Sequence, residues 1–504
     1  MRKNSKYTIN AVLPRVIPLH NLPYRLARLL AAMLLGLALS SFAGAADLQI
    51  PELGDSSAGL ISPAQEYELG QKWLQVFRAQ VPTTSDPFLQ SYVEDLIRRL
   101  ATYSELDDRR LEILVIHNPT LNAFAVPGGI IGVHTGLFRY ADTEEQFSSV
   151  LAHEIAHLSQ RHYARRVEQQ EKSSAPMMAA MLASIILGMT AGTDAGLAAL
   201  SAVNAGALEA QLRFSRQMEQ EADRLGMETL VRSGMDPYAM SDMFENMLRA
   251  SRFTRKPPEF LMTHPVTESR VSDSRLRAQQ FNRGLTEAKL DYEMVKVRAQ
   301  LMHEKNRSAA IQIFRDELRG NDYSDTAASY GLALALINNG QSEEAEKIIE
   351  PLFKEYPESP FLKVAKADVF VEQENYEGAL KILREALKTN PNHHGYNTRI
   401  AEVLMAAGQY KECSEVLRAH VKRRPKDDYI WYLLAEVEGL AGNIFEVHLA
   451  RAQYFKLNGL FDKAEIQLIN ALKITKSKDE QTRARLQQEL KEIRNMRREL
   501  AEFG

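Results

Sequence analysis

One cysteine in 504 residues, Cys413, excludes any disulfide within the chain. Stability must therefore come from buried cores, and a chain of this length predicts two or three domains. An excess of positive charge is also missing. Lys and Arg number 62 against 65 Asp and Glu, a net charge of -3, which argues against a large nucleic-acid surface. The 45% hydrophobic and 25% charged content is that of a folded, soluble protein.

Acidic residues are absent from the leader, where Arg2, Lys3, Lys6, Arg15, Arg25 and Arg28 precede the apolar run "LLAAMLLGLAL" and then "SSFAGAAD". Ala43 and Ala45 fit small-x-small cleavage, so residues 1–45 read as a signal peptide cut after Ala45. The rival, an uncleaved anchor, is disfavoured because the run is short for a span. No cysteine stands beside the cut, so lipid attachment is not supported. The leader suits a bacterial envelope protein, placed in the periplasm and in contact with the outer membrane. Residues 46–60, with Pro51, Gly54 and Gly59, read as a linker. Residues 173–193 carry no charge and are long enough to span a bilayer. Pro176 and the many Ala and Gly residues favour a buried or interfacial helical hairpin, which could touch a membrane peripherally.

The rest predicts an α+β fold, mainly α. "LEILVI" reads as a strand, and "NAFAVPGGIIGVHTGLF" as strand, Pro-Gly-Gly turn and strand. "TEEQFSSVLAHEIAHLSQRHYARRVEQQ" reads as one long helix with Thr143 as N-cap and Glu144 and Glu145 favouring its dipole. From about residue 286 the chain repeats. Pro357, Pro391 and Pro425 recur every 34 residues, and Ala345, Ala379 and Cys413 keep the same step. This resembles the tetratricopeptide repeat, an α-solenoid of helix pairs. Cys413 fills the small-residue slot between helices; a functional thiol is the weaker alternative. After Gly442 the phase breaks, so one helix should serve two neighbouring units. The charged tail "KDEQTRARLQQELKEIRNMRREL" should cap the stack. Such a stack offers a concave surface to a protein or peptide, or serves as a spacer.

Chemistry concentrates in "LAHEIAHLSQRH". On a helix His153 and His157 share a face, so both imidazoles can reach one ion, while Glu154 lies about 100° round, near enough to act on a water. That pattern suits a zinc hydrolase in which glutamate moves the proton. A third ligand should lie downstream, where "SRQMEQEADRLGMETLVRSG" offers Glu219, Glu221 and Asp223. Glu219 and Asp223 share a face and Glu221 lies about 200° away. Glu219 is therefore assigned to the metal and Asp223 to holding a ligating histidine by its other N–H.

With "NAFAVPGG" ahead of it, His153-Glu154-x-x-His157 followed by Glu219-x-x-Ala222-Asp223 resembles the CAAX-prenyl-protease-like and HtpX-like zinc metallopeptidases of the gluzincin group. The resemblance implies a helical zincin-type domain with one Zn2+ per chain. It carries over His153, His157 and Glu219 as ligands and Glu154 as catalytic base. The membrane-spanning relatives have several clear hydrophobic spans; this chain lacks them, so prenylated substrates are not implied. With the leader and the repeats, the resemblance implies a periplasmic protease with chaperone-like activity. It would help outer-membrane proteins assemble, degrade misassembled ones, and contact the β-barrel assembly machinery through its repeats.

Two further residues stand out. His264, before Pro265, could be a fourth ligand that holds the enzyme off, could stabilise an oxyanion, or could bond to backbone. Arg270 could stabilise oxyanion charge or form an ordinary surface pair. His117, His134 and His162 have no spacing partner and read as structural. The hairpin could take a client segment as an added strand, reading backbone rather than side chains. Domain boundaries follow as 61–283 for the metallopeptidase and 284–504 for the repeats. The rivals are a non-proteolytic repeat chaperone or adaptor with a structural zinc site, and a protease that processes one envelope partner.

Overall fold

A computed structural model describes residues 61–169, 215–252, 258–282, 289–320, 322–475 and 479–503. The expected signal peptide, the linker 46–60 and the uncharged segment 173–193 lie outside the described residues. No helix among the described residues is long and apolar enough to cross a membrane.

Helices α1 (Pro63–Gln80) and α2 (Pro87–Tyr103) both begin on proline, where the missing N–H would have no intrahelical partner. Asp86 caps α2 by accepting from the N–H groups of Phe88 and Leu89. Three strands follow: β1 (Glu112–Ile116), β2 (Ala123–Val126) and β3 (Ile130–His134). Their order is β1-β3-β2, with β3 parallel to β1 and antiparallel to β2. The expected hairpin forms across Pro127, Gly128 and Gly129, whose glycines take φ of 87° and 80°. Part of the outer edge of β1 is covered, since the Thr84 N–H donates to the Val115 carbonyl at 2.8 Å. The outer edge of β2 has no strand partner among the described residues.

Thr143 caps α3 (Glu144–Ser159) by accepting from the Gln146 N–H, with Glu144 and Glu145 in the first turn. The single helix expected through residue 170 does not form. The chain turns at Arg161, whose φ of 49° is left-handed, and restarts as α4 (His162–Gln169). Long-range anchors hold that turn: Arg161 donates to the Ile61 carbonyl at 2.5 Å and to Glu66 at 3.2 Å.

Helix α5 (Arg216–Arg232) lies along α3. A Cβ on Gly226 would stand 3.1 Å from the backbone nitrogen of His153, so glycine there permits the close approach. Ala156, Ala222 and Leu225 pack the seam between the helices. Helices α6 (Ala239–Arg252), α7 (Glu259–Thr263) and α8 (Glu268–Ala278) complete this half.

The repeats then run as α9 (Leu290–His303), α10 (Arg307–Glu317), α11 (Asp325–Asn338), α12 (Ser342–Glu355), α13 (Pro360–Glu372) and α14 (Tyr376–Thr389). They continue as α15 (His394–Ala406), α16 (Tyr410–Arg423), α17 (Asp428–Leu440), α18 (Ile444–Leu457), α19 (Phe461–Ile474) and α20 (Glu480–Phe503). Helices α12, α14 and α16 each end two residues before Pro357, Pro391 and Pro425, as the 34-residue period predicts. Ala345, Ala379 and Cys413 are fully buried at the helix contacts. Helix α18 packs against both α17 and α19, and α20 covers the last apolar face with Leu486, Leu490 and Ile493.

The mainly α, α+β expectation holds, and one hydrophobic core runs from the helices packed around the sheet into the repeats. Phe88 of α2 meets Phe361 of α13 at 4.9 Å between ring centroids, and Arg424 pairs with Glu94 at 2.9 Å.

Burial alone pushes His134 down to about 3, while Thr120 holds its Nδ1 at 2.8 Å. Its folded pKa lies below the unfolded value of about 6.5. The stability contribution is therefore complete above pH 6.5 and is lost as pH falls toward 3, at roughly 1.4 kcal/mol per pH unit. We expect wild type to lose more stability than His134→Gln between pH 7 and pH 5 in urea denaturation; equal losses contradict this.

Candidate metal centre

Two helices and one loop assemble the site. Helix α3 presents His153 and His157 one turn apart. Helix α5 presents Glu219 in its first turn, where the dipole favours a carboxylate and Ser215 caps the end. Helix α7 ends in His264, whose ring stacks on Phe260 at 4.8 Å. One ligand atom from each of His153, His157, Glu219 and His264 lies within 4.8 Å of the others, and all four residues are buried.

Individual distances show how tightly the groups converge. The Nε2 atoms of His153 and His157 stand 3.0 Å apart, and His157 Nε2 is 3.5 Å from Glu219 Oε1. His264 Nδ1 lies 3.0 Å from the same Glu219 oxygen and 3.4 Å from His153 Nε2. Three imidazoles and a carboxylate facing one another out of water suit a divalent cation, because their lone pairs would otherwise crowd without a shared positive charge. Burial pushes the His157 imidazole well down, helped by the neighbouring His153, so the ring is neutral, as a ligand must be.

Glu154, next to His153 on α3, lies beside the four donors. Its carboxylate accepts from the Ala125 N–H on β2, while Oε1 is buried without a hydrogen bond, 3.5 Å from His264 Nε2. Burial pushes its carboxyl up to about 8, against the pull of His153. A glutamate held beside a ligand set with one free oxygen is arranged to carry a proton.

Asp223 lies where its i+4 relation to Glu219 places it, with Oδ1 3.0 Å from His153 Nδ1. Arg270, in the first turn of α8, is buried and paired, not a surface group. It donates to both oxygens of Asp223 at 2.7 and 2.8 Å and to the Pro265 carbonyl at 2.9 Å, and stands 2.8 Å from Glu219 Oε2. Burial raises Asp223, but Arg270 and His153 overcome it and hold its carboxyl at about 2.

Sequence reasoning missed a second group behind His157. The turn at Arg161 swings His162 back, so its Nδ1 lies 2.9 Å from His157 Nδ1. Its Nε2 stands 3.1 Å from Glu221, which Arg165 also holds at 2.8 Å. Glu221 points away from Glu219, as its spacing requires, yet it reaches His157 through His162. No local signal marks the helix break that makes this contact. Of the other histidines read as structural, His117 packs on His303 and His134 bonds Thr120.

Residues 87–278 match peptidase family M48, and residues 327–359 and 370–437 match the tetratricopeptide repeat. The chain is 34% identical to the beta-barrel assembly-enhancing protease of Escherichia coli (strain K12), over 87% of this chain and 90% of that one. The counterpart of Yersinia pestis is 35% identical over 67% and 70% respectively. The mitochondrial metalloendopeptidase OMA1 of Schizosaccharomyces pombe is 33% identical over 36% of this chain and 50% of its own.

Arg270→Met should strip two buried carboxylates of their cation and lower the stability of metal-free protein by roughly 3–5 kcal/mol. Denaturation in chelator measures it, and a loss below 1 kcal/mol would contradict the clamp. The buried donor cluster, the repeats and similarity over nearly the whole length agree: the chain is a metallopeptidase that belongs to peptidase family M48.

Proposed function

We propose that this chain is a zinc-dependent endopeptidase of the bacterial periplasm with chaperone-like activity. It promotes assembly of outer-membrane β-barrel proteins and degrades misassembled ones. The carrying observation is the convergence of His153, His157 and Glu219 beside the free oxygen of Glu154. The Escherichia coli relative named for β-barrel assembly supports the substrate class. We assign catalysis to residues 61–283, and contact with clients and the outer-membrane assembly machinery to 284–504.

His153, His157 and Glu219 would hold the ion. When bound, it would polarise a scissile carbonyl and activate water. Glu154, ionised once a nearby cation offsets its burial, is placed to accept a proton on Oε1 and return it to the leaving amine. Asp223 fixes the ring of His153; Arg270 keeps Asp223 ionised and joins His264 in doing the same for Glu219. The open edge of β2 runs beside Glu154, through the Ala125 N–H. A client strand added there would lie along the site and be read by its backbone.

His264 acts as a latch in this reading. Its ring faces the other three donors and would be a fourth ligand, and its carrier α7 docks at the mouth of β2, where the Phe260 N–H donates to the Leu121 carbonyl at 3.3 Å and Glu259 accepts from Asn122 at 3.2 Å. Moving α7 would withdraw His264 from the ion.

A non-proteolytic adaptor with structural zinc would have no use for Glu154. Glu154→Gln should keep one zinc per chain and lose at least about 100-fold in cleavage of an unfolded outer-membrane protein. A variant that keeps its metal and cleaves as wild type sinks the mechanism. His264→Ala should raise basal cleavage at unchanged zinc content; unchanged cleavage at unchanged zinc removes the latch.

A further inference from the structure

The two helix histidines are held differently. His153 is backed by the buried Asp223. His157 is backed by a second imidazole, behind which stands a carboxylate nearer the surface. We propose that His162, Glu221 and Arg165 form a relay that fixes the ring orientation and tautomer of His157 and so sets how firmly the chain grips its cation. This rests on the reading of His153, His157 and Glu219 as metal ligands, and makes His162 and Glu221 positioning residues.

Hydrogen-bond complementarity carries the assignment. His157 Nε2 faces His153 Nε2 at 3.0 Å and Glu219 Oε1 at 3.5 Å, so it is the nitrogen whose lone pair must meet a cation. Its proton then sits on Nδ1. That atom is 2.9 Å from His162 Nδ1, which has to accept. A neutral His162 accepting on Nδ1 carries its own proton on Nε2, and Nε2 stands 3.1 Å from Glu221 Oε2, an acceptor only. Each donor along the line meets an acceptor.

The reverse arrangement fails. If His157 carried its proton on Nε2, His162 Nδ1 would have to donate, and its bare Nε2 would face the carboxylate. The negative charge of Glu221 therefore selects the metal-binding tautomer two bonds away. Arg165 Nη1 steadies the same oxygen at 2.8 Å. The left-handed turn at Arg161 makes the contact, since a continuous helix would carry residue 162 about 140° away from His157. Outer partners of metal-bound histidines typically change metal affinity by about 10–100-fold.

The test uses full-length protein and two readouts: zinc affinity by chelator competition, and the d–d absorption of the cobalt-substituted form, which reports ligand geometry. Glu221→Gln removes the charge from a half-buried position. We expect its zinc affinity to fall by about 10-fold and its cobalt spectrum to shift. His162→Phe should fall at least as far. His162→Asn, whose Oδ1 can still accept from His157, should recover part of the loss. Glu228→Gln is the control, on the same helix and paired with Arg224 and Arg232. Glu221→Gln matching wild type in both readouts overturns the relay, as does an equal loss in Glu228→Gln. If His162→Phe does not fold, Glu221→Gln decides alone. Wild type that binds no stoichiometric zinc overturns the proposed function itself.

Discussion

Arg270 stands between Glu219 and Asp223, and the geometry of the site depends on that one buried cation. Two carboxylates one turn apart on α5 repel each other, and burial makes each costly to ionise. The guanidinium offsets Asp223 and, together with His264, Glu219, and its planar fork meets Asp223 through two parallel donors. With Asp223 ionised, His153 has an acceptor behind it. With Glu219 ionised, a cation would find an oxygen donor there. The Pro265 carbonyl, bonded to the same guanidinium, ties the loop carrying His264 to this core.

Packing makes that electrostatic arrangement reachable. Helices α3 and α5 meet where Gly226 sets its bare backbone against His153, and alanines fill the seam. A bulkier interface would separate the histidine pair from Glu219. The convergence of the donor set is thus a consequence of small side chains that themselves carry no chemistry.

Sequence patterning exposed what is local. His153 and His157 are one turn apart, Glu219 and Asp223 likewise, and such spacings translate directly into shared faces. The repeat period was equally readable, because each proline stops a helix at the same place. What stayed hidden depends on distant chain. The break at Arg161 is held by Ile61 and Glu66, roughly a hundred residues upstream, and without it His162 and Glu221 look idle. Burial of Arg270 arises the same way, from α8 folding back onto α5, which its first-turn position alone does not reveal.

Arg161 also shows how torsion can be put to use. An L-residue in the left-handed region lies about 1–2 kcal/mol uphill, and a glycine would relax it. Glycine, however, has no guanidinium to reach the entrance of α1. The position therefore couples an uncomfortable dihedral to a tether, which joins the entrance of α1 to the corner that aims His162.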